Sequence, residues 1–123
     1  EQDLAESLAF VEQCRLCKVH IFPFSRREGT AAWSMPGQVP NAQKALRAAR
    51  AAEVCRRLEL EYLRSFVGQT RPVLFEQEED GFFSGHIPEY CLVKVRGQGL
   101  HNQVLPVRIT GLEGTTLLGE VTE

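Results

Sequence analysis

The chain has 123 residues, 43% of them hydrophobic and 24% charged, with a formal net charge of −2. That composition excludes a disordered tail, and no apolar run is long enough to span a bilayer. The overall charge gives no reason of its own to expect nucleic acid, but the charges are unevenly spread. Residues 41–67 carry six Lys or Arg against three Glu, whereas residues 68–123 carry four basic groups against eight acidic ones.

The opening "EQDLAESLAF" has neither the basic nor the apolar region of a signal peptide, so a cytoplasmic chain is expected. Its four cysteines then read as thiols rather than disulfides. Leu4, Leu8 and Val11 recur at helical spacing, and Asp3 with Glu6 suits a capping box, which predicts a first helix. In "KVHIFPF", Val19, Ile21, Phe22 and Phe24 form a short apolar run, as a strand covered on both faces requires, with Pro23 near its end. One strand has no sheet to join. The opening is therefore expected to be the end of a larger α/β domain, and an exposed remnant of this kind invites association between copies.

"SRREGTAAWSMPGQVPN" shows no sustained period and reads as a long loop. Residues 40–67 then predict a long helix, with Pro40 in its first turn and Gly68 at its stop. Leu46, Ala49, Leu60, Leu63 and Phe66/Val67 supply a partial apolar stripe; the basic residues cover much of the rest, and a solvated face is the ordinary reading of them. From Gly68 the period becomes two. "RPVLFEQ", "GFFSGHI", "YCLVKVR", "QVLPVRITGL" and "TTLLGEV" are five strands separated by turn-like segments. Val73, Phe75, Phe83, Ile87, Cys91, Val93, Val95, Val107, Ile109 and Leu117 are the expected inward set. Five short antiparallel strands in so few residues suggest a small closed barrel, which leaves no edge exposed.

Three features carry chemistry in principle. Cys14 and Cys17 form C-x-x-C with His20 three residues on, one ligand short of a structural zinc site. The pair closes a helix and precedes a strand, the reverse of a thioredoxin-like motif. Phe10 stands where a radical-SAM triad needs its first Cys, so incidental thiols are the stronger reading and no metal ligand is assigned. Arg26 and Arg27 follow the strand and suit a carboxylate or phosphate, or else an ordinary exposed loop. Lys94, Arg96 and Arg108 alternate with inward valines and Ile109, so they share the outer barrel face. Tyr90 and one of Phe82 or Phe83 add stacking surface, the mix by which small barrels hold oligonucleotides, although the acidic balance opposes it.

At this point a family likeness is visible. "KVHIFPFSRREGTAAWSMPGQVP" resembles the last strand-and-loop region of the radical-SAM methylthiotransferases. Within them, "HIFPFSRREGT" is most similar to the branch that methylthiolates threonylcarbamoyladenosine in tRNA. "GQTRPVLFEQEEDGFFSGHIPEYCLVKVRG" and "VRITGLEGTTLLGEV" resemble the family's C-terminal TRAM domain, an RNA-binding barrel. The resemblance implies an α+β chain: residues 1–39 as the last helix, strand and loop of a radical-SAM domain, 40–67 as a connecting helix, and 68–123 as a five-stranded antiparallel, OB-like TRAM barrel. It implies a parent enzyme with two 4Fe–4S clusters and S-adenosylmethionine, whose cluster ligands lie upstream. This chain alone is then expected to bind neither cluster and to be inactive. Phe22, Pro23, Phe24 and Ser25 would border S-adenosylmethionine, and Arg26, Arg27 and Glu28 would face the active-site mouth, where substrate RNA or cofactor could reach them, with Arg26 and Arg27 as RNA-binding residues. Lys94, Arg96, Arg108 and Tyr90 would hold the anticodon arm of tRNA. The alternative is a barrel that serves as a structural or protein-interaction module.

Overall fold

A computed structural model describes all of residues 1–123. The chain is α+β: helix α1 (Gln2–Cys14), a short 3-10 turn (Ala31–Ser34), helix α2 (Asn41–Arg64), then strands β1 (Thr70–Glu79), β2 (Phe82–His86), β3 (Leu92–Arg96), β4 (Val104–Glu113) and β5 (Thr116–Val121). It divides into two compact units, residues 1–59 and 60–123, with the division inside α2.

In the first unit, α1 turns Leu4, Leu8 and Val11 to its half-buried side. Its N-terminus differs from the expected capping box: Glu1 is the N-cap and no side chain caps it, while Asp3 sits in the first turn, where it favours the helix dipole. Arg15 ends the helix in the left-handed conformation at φ 51°. The two helices are tied by charge. Glu1 accepts from Arg47 Nε at 3.0 Å and from Arg50 Nη1 at 2.8 Å, and Glu12 accepts from Arg57. Since residue numbers rise together along both helices at these pairs, α1 and α2 lie alongside in parallel.

The predicted strand at residues 18–24 forms no ladder. Its apolar pattern fits a sheet, but no neighbouring strand exists within the unit, and a strand needs hydrogen-bonded partners beside it. The α2 stripe also differs from expectation. Leu46 is 69% exposed, and Ala49 and Val67 face solvent; the buried line in this unit is Ala51, Cys55 and Leu58, at i, i+4 and i+7. Two small residues and Leu58 thus define the inner face, while Leu46 lies outside it.

The second unit is a closed barrel in the order β1-β2-β3-β5-β4. Four seams are antiparallel and β3 pairs β5 in parallel, with Val93, Lys94 and Val95 opposite Leu117, Leu118 and Gly119. The expected barrel is present, and the parallel seam is a geometric necessity: directions cannot alternate all the way around a ring with an odd number of strands. Asp80 and Gly81, both at positive φ (52° and 78°), make the β1–β2 turn, the Asp-Gly signature of a tight hairpin. Bulges interrupt β1 at Phe75/Gln77 and β4 at Ile109/Gly111, bending the strands toward closure.

Alternation fills the barrel. Val73, Phe75, Phe83, Val93, Val95, Val107, Ile109 and Leu117 are fully buried, with Phe75 edge-on to Phe83 at 6.4 Å. Nine of the ten expected inward residues are buried; Cys91 packs against them only partly. Leu63 and Phe66, from the end of α2 and the turn after it, join this core. Gly68 then releases the chain at φ 90°, and its N–H reaches Ile109 O at 2.8 Å to start the sheet.

Candidate nucleic-acid interface

Cross-strand partners share a face of a sheet. The outer face of β1, β2 and β3 is therefore a lattice of three rows. They are Leu74, His86 and Leu92; Gln77, Ser84 and Lys94; and Glu79, Phe82 and Arg96. This resolves the ambiguity at Phe82 and Phe83: Phe82 lies outside and Phe83 in the core. Lys94 Nζ lies 4.4 Å and Arg96 Cζ 5.0 Å from the Phe82 ring centroid. The ring holds both cations by its π-face while leaving their charge at the surface. Neither cation, nor Arg108, has a carboxylate within ion-pair distance.

Tyr90 stands at one end of this face, 76% exposed. Its ring stacks on His86 with centroids 4.4 Å apart and planes 7° from parallel. His86 Nδ1 in turn lies 2.7 Å from Glu76 Oε2. Sequence reading missed His86 and Ser84, although both share the parity of Phe82 along β2. Arg108 is exposed on β4, opposite Glu120 of β5 and Thr70 of β1, so β5 lies between it and Lys94. The structure brings Lys94, Arg96 and Tyr90 onto one face with His86 and Phe82, and leaves Arg108 beside an acidic neighbour.

The turn before Tyr90 is braced. Arg71 lies over the Phe66 ring and donates to the Glu89 carboxylate, a bond that holds Glu89 below the ordinary carboxylate range. Burial leaves Arg71 Nε without a partner.

The first unit positions the remaining expected residues differently. Arg26 folds back on its own loop, donating from Nε to Trp33 O at 3.1 Å with its guanidinium 4.8 Å from the Trp33 ring. Arg27 is exposed, and its carbonyl accepts from Thr30 Oγ1 at 2.7 Å. Phe22 (82% exposed), Pro23 and Phe24 line a cleft of about 430 Å³ with Ile21, Met35 and Ala48. Lys44 Nζ closes its edge by donating to Phe24 O at 3.0 Å. Ser25 is exposed and is not part of the cleft lining. Cys14 and Cys17 gather no further ligands, and no group of three or more His, Cys, Asp or Glu forms a metal-binding set. The cations of α2 are partly used: Arg47, Arg50 and Arg57 pair with α1.

Fold and site together define a helix leading into a small β-barrel with a cationic and aromatic outer face. No family model matches the chain. Curated proteins do. Ribosomal protein uS12 methylthiotransferase RimO of Synechococcus sp. (strain JA-3-3Ab) is 36% identical over 130 residues, covering 100% of this chain and 28% of the relative. Threonylcarbamoyladenosine tRNA methylthiotransferase MtaB of Chlamydia pneumoniae is 32% identical, over 98% of this chain and 29% of the relative. A tRNA-2-methylthio-N(6)-dimethylallyladenosine synthase of Ehrlichia ruminantium (strain Gardel) is 25% identical, over 97% and 28%. The chain is thus homologous over its whole length to a segment of the methylthiotransferases, and it spans just over a quarter of the length of these relatives.

Proposed function

We propose that the chain is the C-terminal portion of a tRNA methylthiotransferase, acting on threonylcarbamoyladenosine beside the anticodon, and that its TRAM barrel holds the anticodon arm. The observation that carries the RNA reading is the outer β2–β3 face, where unpaired Lys94 and Arg96 lie over Phe82 and Tyr90 stands open nearby. Cations neutralise phosphates and aromatic rings accept bases, the combination used by barrels that bind single strands. The "HIFPFSRREGT" loop supports the threonylcarbamoyladenosine branch.

In this reading, the parent enzyme carries two 4Fe–4S clusters, and residues 1–123 gather no group of three or more His, Cys, Asp or Glu that fits one. S-adenosylmethionine fits better: Phe22, Pro23 and Phe24 offer an apolar cleft wall for the face of an adenine ring, and Ser25, next in the chain, is exposed. What these residues do is bind and orient. Arg26 stiffens the loop beside the cleft through Trp33, and Arg27 stays open toward substrate.

A fluorescence-anisotropy titration of the chain with an anticodon stem-loop across a salt series tests the interface. Binding that falls with salt, with Lys94→Ala plus Arg96→Ala lowering the slope of log K against log salt by about 1.4, is the expected result. No binding at low salt, or an unchanged slope, would remove the barrel face as the RNA surface.

A second reading has its own observations. Relatives whose names give a ribosomal protein as substrate reach 36–37% identity, and Glu76, Glu78, Glu79 and Asp80 crowd the β1–β2 end. In that reading the barrel docks protein. Pull-down of ribosomal protein uS12, undiminished by the Lys94/Arg96 double variant, would favour it.

A further inference from the structure

We infer that the Tyr90–His86 pair is a receiving platform for one unpaired nucleobase, with Lys94 and Arg96 taking phosphates of the same strand. The inference rests on the RNA reading and deepens it: the form bound is single-stranded, because a base inside a duplex has both faces occupied. Three observations place the platform at Tyr90. Phe82 already lies beneath Lys94 and Arg96, so Tyr90 is the aromatic surface left open on this face. The Tyr90 ring is preset, one side on His86 at 4.4 Å and the other toward solvent, and Glu76 fixes the imidazole at 2.7 Å. A ring already held in place loses little freedom when a base stacks on it.

The third observation is the backbone. Tyr90 adopts φ 63°, a conformation uncommon for a bulky residue. A turn holds it there: Tyr90 N–H donates to Ile87 O at 2.8 Å, and Ile87 N–H to Cys91 O at 3.2 Å. Glycine would occupy the position without strain. An aromatic ring there costs stability and is turned outward, so its use lies in what it meets in solution. Leu92, opposite His86 in the same row and 37% exposed, adds apolar surface next to the platform.

The test uses the 123-residue chain and a labelled single-stranded RNA of about 12 nucleotides, with a duplex of the same sequence as comparison. Tyr90→Ala is expected to weaken single-strand binding by about 5- to 150-fold without changing the salt slope. Tyr90→Phe keeps the affinity, and His86→Ala gives a smaller loss. An abasic scan of the oligonucleotide then needs no altered protein. One abasic position should cost the wild-type chain affinity and leave Tyr90→Ala indifferent. Single-strand binding that ignores both Tyr90→Ala and every abasic position would overturn the platform while leaving the RNA interface standing. Equal preference for the duplex would overturn it too. Loss of all RNA binding by the wild-type chain would instead remove the underlying reading.

Discussion

Gly85 sits on β2 opposite Phe75, at the bulge where β1 bends. A Cβ built there would stand 1.8 Å from Leu74 O and 2.9 Å from Phe75 Cα, both backbone atoms that cannot swing aside. Gly85→Ala should therefore destabilise the barrel by about 3 kcal/mol or more, at the upper end of overpacking costs. Urea unfolding measures it, and a loss below about 1 kcal/mol would mean that the bulge relaxes. Glu89 makes a different kind of prediction. The hydrogen bond from Arg71 lowers its carboxyl pKa in the fold. A depressed folded pKa gives stability that is present above the unfolded pKa and is lost as pH falls through the folded one. Wild type should exceed Glu89→Gln in urea midpoint at about pH 6, and the gap should narrow steadily as pH is lowered toward about 3, through the depressed carboxyl pKa. A gap that stays constant across that range would show that the Arg71 bond is not the source.

Elements show what a sequence can and cannot disclose. The five strands and their inward residues were legible because alternation is a local signal, and a closed barrel buries one parity throughout. Lys94 and Arg96 were placed outside by the same count. The parity of Phe82, the place of His86 and the parallel β3–β5 seam were not legible, since each depends on which strand lies beside which. Residues 18–24 show the reverse case: a sound strand pattern with no neighbour to pair with. For α2, large apolar residues suggested one face, and Ala51 and Cys55 define another. That helix also bears on function. Carboxylates of α1 engage Arg47, Arg50 and Arg57, all at exposed or half-exposed positions, where an ion pair contributes little. Replacing Glu1 and Glu12 together by Gln should leave the thermal unfolding midpoint almost unchanged. If the barrel holds the RNA, the salt slope of binding should not change. A steepening by about two would assign the RNA to α2 instead.

Across the whole molecule, burial is unequal. No residue of α1 is buried, and unit 1 buries only Ala51, Cys55 and Leu58, whereas every residue below 2% exposure belongs to the barrel. Local opening of α1 or of residues 15–40 exposes little apolar surface that is not already in contact with water. Opening the barrel breaks a closed ring and uncovers two strand edges together with the valine core. Hydrogen exchange should follow that division. Amides at Val93, Val95, Val107 and Ile109 should exchange only by global unfolding, and those of α1 by openings at least about 3 kcal/mol easier. Uniform protection would mean that the two units unfold as one. The expected gradient has a functional consequence. Lys94 and Arg96 stand on the strand whose alternate residues, Val93 and Val95, are among the most buried, so the cations keep their spacing while the first unit fluctuates. RNA bound to the barrel should then slow exchange little at Val93 and Val95, which are already slow. It should slow it visibly at Tyr90 and Cys91, in the turn outside the strands.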